Sequence, residues 1–135
     1  MEESTIVERW PWVVSFEVEV KVESKNKTTG TRICTGALIS TDFVLFPADC
    51  FDPKNPTGSI KKPLFLGKSG NKNQDLSSQQ ENFIGNIWLH PDYNFPNFNI
   101  ALVKLQNRVK VTKYVSPICL PNGSGPTDDD VCVSL

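Results

Sequence analysis

The sequence predicts an all-β protein, built as a small antiparallel barrel or sandwich. Phe16, Val18, Val20 and Val22 alternate with Glu17, Glu19 and Lys21, and a period of two gives a strand one buried and one wet face. Further short apolar runs are separated by segments rich in Gly, Pro, Asn and Asp, the spacing expected of a compact β fold. No helical apolar period persists beyond a couple of turns.

The elements follow in order. Trp12 to Val22 forms the first strand, and the polar stretch from Ser24 to Gly30 makes a hairpin turn. Ile33 to Leu38 and Phe43 to Phe46 are two strands around Ser40-Thr41-Asp42. Phe51 to Pro63, rich in proline, is a loop. Leu64-Phe65-Leu66-Gly67 is a short strand, and the polar segment from Lys68 to Glu81 is a long surface loop. Phe83 to Leu89 and Ile100 to Leu105 are the last strands. Residues 1–122 are expected to make one domain; 123–135, with Gly, Pro and three consecutive acids, read as a linker and the start of a missing second one.

Length and composition restrict the function classes. At 135 residues the chain suits a single domain. A net charge of -1 gives no electrostatic case for nucleic acid or an anionic membrane. No apolar run reaches the roughly 18 residues of a membrane-spanning helix. Met1-Glu2-Glu3-Ser4 lacks the basic-then-apolar build of a signal peptide. Against that stand extracellular features: four cysteines, enough for two bridges, and glycosylation acceptor patterns at Asn26 and Asn122. Asn55 is blocked by Pro56. A secreted protein is the expectation, and the leader-free start leaves an intracellular one open.

Six motifs in order carry a resemblance. Trp10-Pro11-Trp12-Val13-Val14-Ser15 resembles the first strand of the trypsin/chymotrypsin family of serine proteases. Cys34-Thr35-Gly36-Ala37-Leu38-Ile39-Ser40 resembles C-G-G-S-L-I-S, and Phe43 to Cys50 resembles W-V-L-T-A-A-H-C. His90-Pro91-Asp92-Tyr93-Asn94 matches H-P-x-Y-N; Asn99 to Leu105 resembles D-I-A-L-x-K-L; Tyr114 to Pro121 matches the exit from the family's first barrel. The resemblance covers residues 6 to 134 and implies a six-stranded antiparallel barrel, the first of the family's two. It also implies a disulfide between Cys34 and Cys50. Cys119 and Cys132 match family cysteines whose usual partners lie outside these residues, so they pair with each other, bond another chain or stay free.

Mapped onto the family's catalytic positions, the chain departs from the pattern. Asp49 stands where the catalytic His would be and Asn99 where the orienting Asp would be. Imidazole serves as the base because it titrates near neutrality and has two usable nitrogens. A carboxylate, with a reference pKa of about 3.9, is a feeble base at pH 7. An amide cannot stabilise an imidazolium, and in the family template that change alone costs roughly 10⁴-fold in turnover. None of the serines lies in a G-D-S-G-G context. Ile6-Val7 resembles the activation terminus but follows Thr5 and precedes Glu8-Arg9, so it reads as a relic. No enzyme activity and no cofactor are expected.

Other candidates favour structural readings. Asp49 as an aspartic-type acid lacks the second carboxylate such chemistry needs; a hydrogen bond donated by Asn99 to Asp49 is expected instead. His90 with Asp92 falls short of a metal ligand set, and H-P-x-Y-N is a surface turn in active relatives. Asp128-Asp129-Asp130 is solvated linker charge, and Trp10, Trp12 and Trp88 are barrel packing. The function expected is that of an inactive homologue, a protein-binding or decoy module. Its partner or a second copy would dock on the barrel face that a second barrel covers in the family. The alternatives are a truncated product with little independent function and, more weakly, a half-enzyme completed in trans.

Overall fold

The computed structural model describes residues 10–22, 27–51, 63–67 and 79–121. Seven strands run through them: β1 Val13–Val22, β2 Lys27–Leu38, β3 Phe43–Phe46, β4 Leu64–Leu66, β5 Gln80–Asn82, β6 Ile84–Leu89 and β7 Ala101–Leu105. One 3-10 turn, Ala48–Phe51, follows β3. All strands pair antiparallel, in the order β5-β4-β1-β2-β3-β7-β6.

The two ends of that order are neighbours in the chain. β5 and β6 are separated by Phe83 alone, whose N–H donates to Asn82 Oδ1 at 2.8 Å and whose carbonyl accepts from Gln106 N–H at 2.8 Å. One bent strand therefore pairs with β4 through its first half and with β7 through its second, and the sheet curls closed into a barrel. Closure removes the exposed edges that an open sheet would carry. The expected six strands become seven because this strand breaks at Phe83; counted as one, it restores six. Gln80 and Glu81 fall in the segment expected to be a loop, and Asn82 lies between it and the expected strand from Phe83. The side-chain amides of Gln80 and Asn82 explain why these residues pair instead. Gln80 Nε2 donates to the Lys110 carbonyl at 2.6 Å while its Oε1 accepts from Lys110 N–H at 3.0 Å. Asn82 Nδ2 donates to the Asn107 carbonyl at 2.7 Å and its Oδ1 accepts from Asn107 N–H at 3.3 Å. Polar residues thus anchor a segment that hydrophobic periodicity cannot detect.

β2 also begins earlier than apolar patterning suggests, at Lys27 instead of Ile33, because the main chain from Lys27 to Arg32 pairs with β1 from Val22 to Val18. The ladder hydrogen bonds come from the backbone and do not require apolar side chains. Along the described part of β1, Phe16 and Val18 are buried and Glu17 is exposed, as the alternation read from the sequence expects, and Val14 is buried as well. The barrel interior is filled by Val14, Phe16, Leu38, Val44, Phe46, Leu64, Leu66, Ile84, Val103 and Leu105, with Val109 and Val115 from the exit segment.

Phe16, Phe46 and Phe51 form an aromatic cluster. Phe16 meets Phe46 edge-on at 5.1 Å and Phe51 face-to-face at 5.6 Å between ring centroids. Gly36 makes room for it: a Cβ there would strike the Leu45 carbonyl oxygen and lie 2.8 Å from the Phe46 ring.

Asn82 is the buried polar side chain of the described residues. Replacing it with alanine is expected to lower stability by about 1–2 kcal/mol, the cost of leaving partly buried main-chain groups unpaired. Urea titration checks this; a loss below about 0.5 kcal/mol would mean water replaces the amide without cost.

Candidate functional site: the Asp49–Asn99 contact

Asp49 sits on the 3-10 turn after β3, and Asn99 on the approach to β7. β3 and β7 pair with Phe46 opposite Ala101, which brings the two positions together across the mouth of the barrel. The turn is closed by Cys50 N–H donating to the Pro47 carbonyl at 3.2 Å. On the other side, Phe98 adopts a left-handed backbone conformation (φ 52°), and Ile100 N–H donates to its carbonyl at 2.8 Å. A bulky residue in that region is uncommon, and the tight turn it makes leads directly into Asn99.

The two residues meet, but not as expected. Asp49 main-chain N–H donates to Asn99 Oδ1 at 2.8 Å. The expected direction, Asn99 donating to the Asp49 carboxylate, is reversed. A backbone N–H can only donate, so the amide oxygen turns toward it. The Asp49 carboxylate is engaged elsewhere: Arg32 Nη2 lies 3.1 Å from Oδ2. Arg32 is 43% exposed and Asp49 21%, so the pair contributes at most about 1 kcal/mol. Its significance is chemical, since the Asp49 carboxylate is already ion-paired.

Arg32 is the residue that sequence reasoning missed. The signal was present. Arg32 and Cys34 are two apart on β2, hence on one face of that strand. The Cys34–Cys50 disulfide is present, with Cα atoms 6.3 Å apart, and Arg32 Nη2 reaches both sulfurs, at 3.6 Å for Cys34 and 3.5 Å for Cys50. Cys119 is exposed with a free thiol. Cys132, the acceptor positions Asn26 and Asn122, Ile6-Val7, Asp128-Asp129-Asp130 and the 123–135 segment lie outside the described residues.

His90 is the chain's single histidine. Its Nδ1 accepts from Asp92 main-chain N–H at 3.0 Å and its ring stacks on Phe98 at 4.6 Å. It therefore organises the turn before Asn99, and its contact with Asp92 is to main chain, not to the carboxylate. Of the tryptophans, Trp12 packs against the core and meets Trp10 edge-on at 5.6 Å. Trp88 departs from the packing role expected of it. It is 48% exposed on the outer wall beside Phe43, since on β6 its side chain alternates away from the core.

The barrel, its disulfide and the Asp49–Asn99 juxtaposition agree with a family model described as Trypsin, which matches residues 2–134. The chain belongs to the trypsin family. Among curated proteins it is similar to Serine protease gd of Drosophila melanogaster, 29% identical over 124 residues. That match covers 88% of this chain and 22% of the relative, so the chain spans about a fifth of that protein's length. Within this trypsin-family barrel, Asp49 and Asn99 are in hydrogen-bond contact through the Asp49 main chain.

Proposed function

We propose that this trypsin-family domain is non-catalytic and works as a protein-binding or decoy module, in a secreted setting. One observation carries the reading. Asp49 is held by Arg32 through its side chain and by Asn99 through its main chain, leaving neither Asp49 nor Asn99 poised to take and return a serine proton. General-base assistance needs a titrating group within reach of the nucleophile, and the one imidazole, His90, is committed to its own turn. Two further features support a binding role. Trp88, Phe95, Phe98 and Ile100 present substantial apolar surface in and around the loop leading to Asn99, and apolar surface of this kind marks interaction sites. A disulfide closing the 48–51 turn suits an oxidising compartment.

The test is enzymatic. The 135-residue chain should neither turn over peptide or ester substrates nor take up a serine-directed covalent probe. The double variant Asp49→His/Asn99→Asp should stay inactive as well. It restores the base and its orienter but supplies no G-D-S-G-G nucleophile segment, of which these residues contain none. Stoichiometric probe uptake at any one serine would reject the reading, as would cleavage by the double variant that a single serine substitution abolishes.

A further inference from the structure

Arg32 Nη2 stands at the centre of three contacts: the Asp49 carboxylate at 3.1 Å, Cys50 Sγ at 3.5 Å and Cys34 Sγ at 3.6 Å. Both cysteines are almost wholly buried, at 3% and 2%, whereas Arg32 is open to solvent. A permanently charged guanidinium therefore covers a bridge that is otherwise enclosed by the core.

We propose that the Cys34–Cys50 bridge is a redox-responsive element whose dithiol–disulfide equilibrium is set by the Arg32–Asp49 pair. The chemistry that reads this arrangement is a dithiol reductant. One of its thiolates attacks a bridge sulfur, forming a mixed disulfide and releasing the other cysteine as a thiolate. The reductant's second thiolate then displaces the remaining cysteine sulfur. Two electrons pass to the two cysteine sulfurs, the reductant leaves as its own disulfide, and its two thiol protons pass to the cysteines or to solvent. Each sulfur that departs carries negative charge, and a cation beside it stabilises that charge. Arg32 already touches both sulfurs, so whichever leaves first is met by the guanidinium. Asp49 acts in the opposite sense: its carboxylate draws on the same guanidinium and places negative charge nearby.

Opening the bridge has a local consequence. It ties β2 to the 48–51 turn, and that turn carries the Asp49 N–H received by Asn99. Reduction frees the turn and with it the surface at the Asp49–Asn99 contact. This inference uses no substrate and stands whether or not the domain is catalytic.

The experiment equilibrates the full chain in mixtures of reduced and oxidised dithiothreitol. Free thiols are then trapped by alkylation, and the peptides bearing Cys34 and Cys50 are quantified by mass spectrometry. Arg32→Gln should shift the equilibrium constant against reduction about tenfold, equivalent to about 30 mV for a two-electron couple. Asp49→Asn, nearly identical in shape, should shift it toward reduction by at least about threefold, because the guanidinium then serves the sulfurs alone. Opposite signs are the signature, since simple loss of packing moves both variants the same way. Shifts of the same sign, or neither variant moving beyond about twofold, would overturn the proposal. Should Arg32→Gln fail to fold, Asp49→Asn decides alone, and no shift or a shift toward the oxidised form rejects it.

Discussion

Replacing Phe16 with alanine is expected to remove about 3–5 kcal/mol of stability, the range for deleting a buried phenylalanine from a packed core. Phe16 is 2% exposed and contributes the ring against which both Phe46 and Phe51 pack. Its loss strips the cluster of dispersion contacts and opens a cavity that a closed barrel, tied by ladders on both sides of β1, has little freedom to collapse. Aromatic pairs contribute a further 0.5–1.5 kcal/mol or so beyond area burial, so Phe16→Leu should lose less than Phe16→Ala while still falling below the parent. Domains of this kind are typically stable by about 5–15 kcal/mol, so the alanine variant should lose a large share of the total. Denaturant titration with an unchanged slope checks the magnitude. A loss under about 1.5 kcal/mol would show that the aromatic cluster is loosely packed.

Removing the bridge by Cys34→Ala/Cys50→Ala is the second large effect, expected at about 3 kcal/mol from the chain entropy regained across a separation of 16 residues. Cys119→Ser, at an exposed thiol, should stay within about 0.5 kcal/mol of the parent. The two large effects should not add. Phe51 follows Cys50 in the 3-10 turn and stacks on Phe16, so the bridge and the aromatic cluster hold the same turn in place. Triple replacement is therefore expected to cost measurably less than the sum of the separate losses, the mark of coupled neighbours. Melting under oxidising conditions checks both points. Equal melting temperatures for parent and double alanine variant would mean the bridge does nothing for the folded state.

The stability terms and the functional reading meet at residues 48–51. That turn positions Asp49 against Asn99, is bonded to β2 and packs its Phe51 into the core. These ties present an ion-paired carboxylate and an amide in fixed positions. On the proposed reading, that rigidity holds a surface in fixed shape, which is what a binding module requires.

How much was legible beforehand depends on which interaction decides each feature. Period-two alternation along Phe16 and Val18 identified β1 and its buried face, because side-chain direction in a strand follows directly from the chain. The ordered motifs around Cys34, Cys50 and Asn99 pointed to the bridge, because residue type and order are themselves sequence properties. Only the tertiary structure could decide the rest. Gln80–Asn82 became a strand through amide bonds to residues 107 and 110, partners far along the chain and invisible to any local pattern. Phe83 became the point of barrel closure because both sheet ends had to meet there. The direction of the Asp49–Asn99 hydrogen bond followed from which atom faced the amide, and Arg32 claimed the carboxylate because the curl of β2 carried it over the disulfide. Residue identities along the chain determine which groups are available. Which group reaches which partner, and with what polarity, is decided only when distant segments are packed into one barrel.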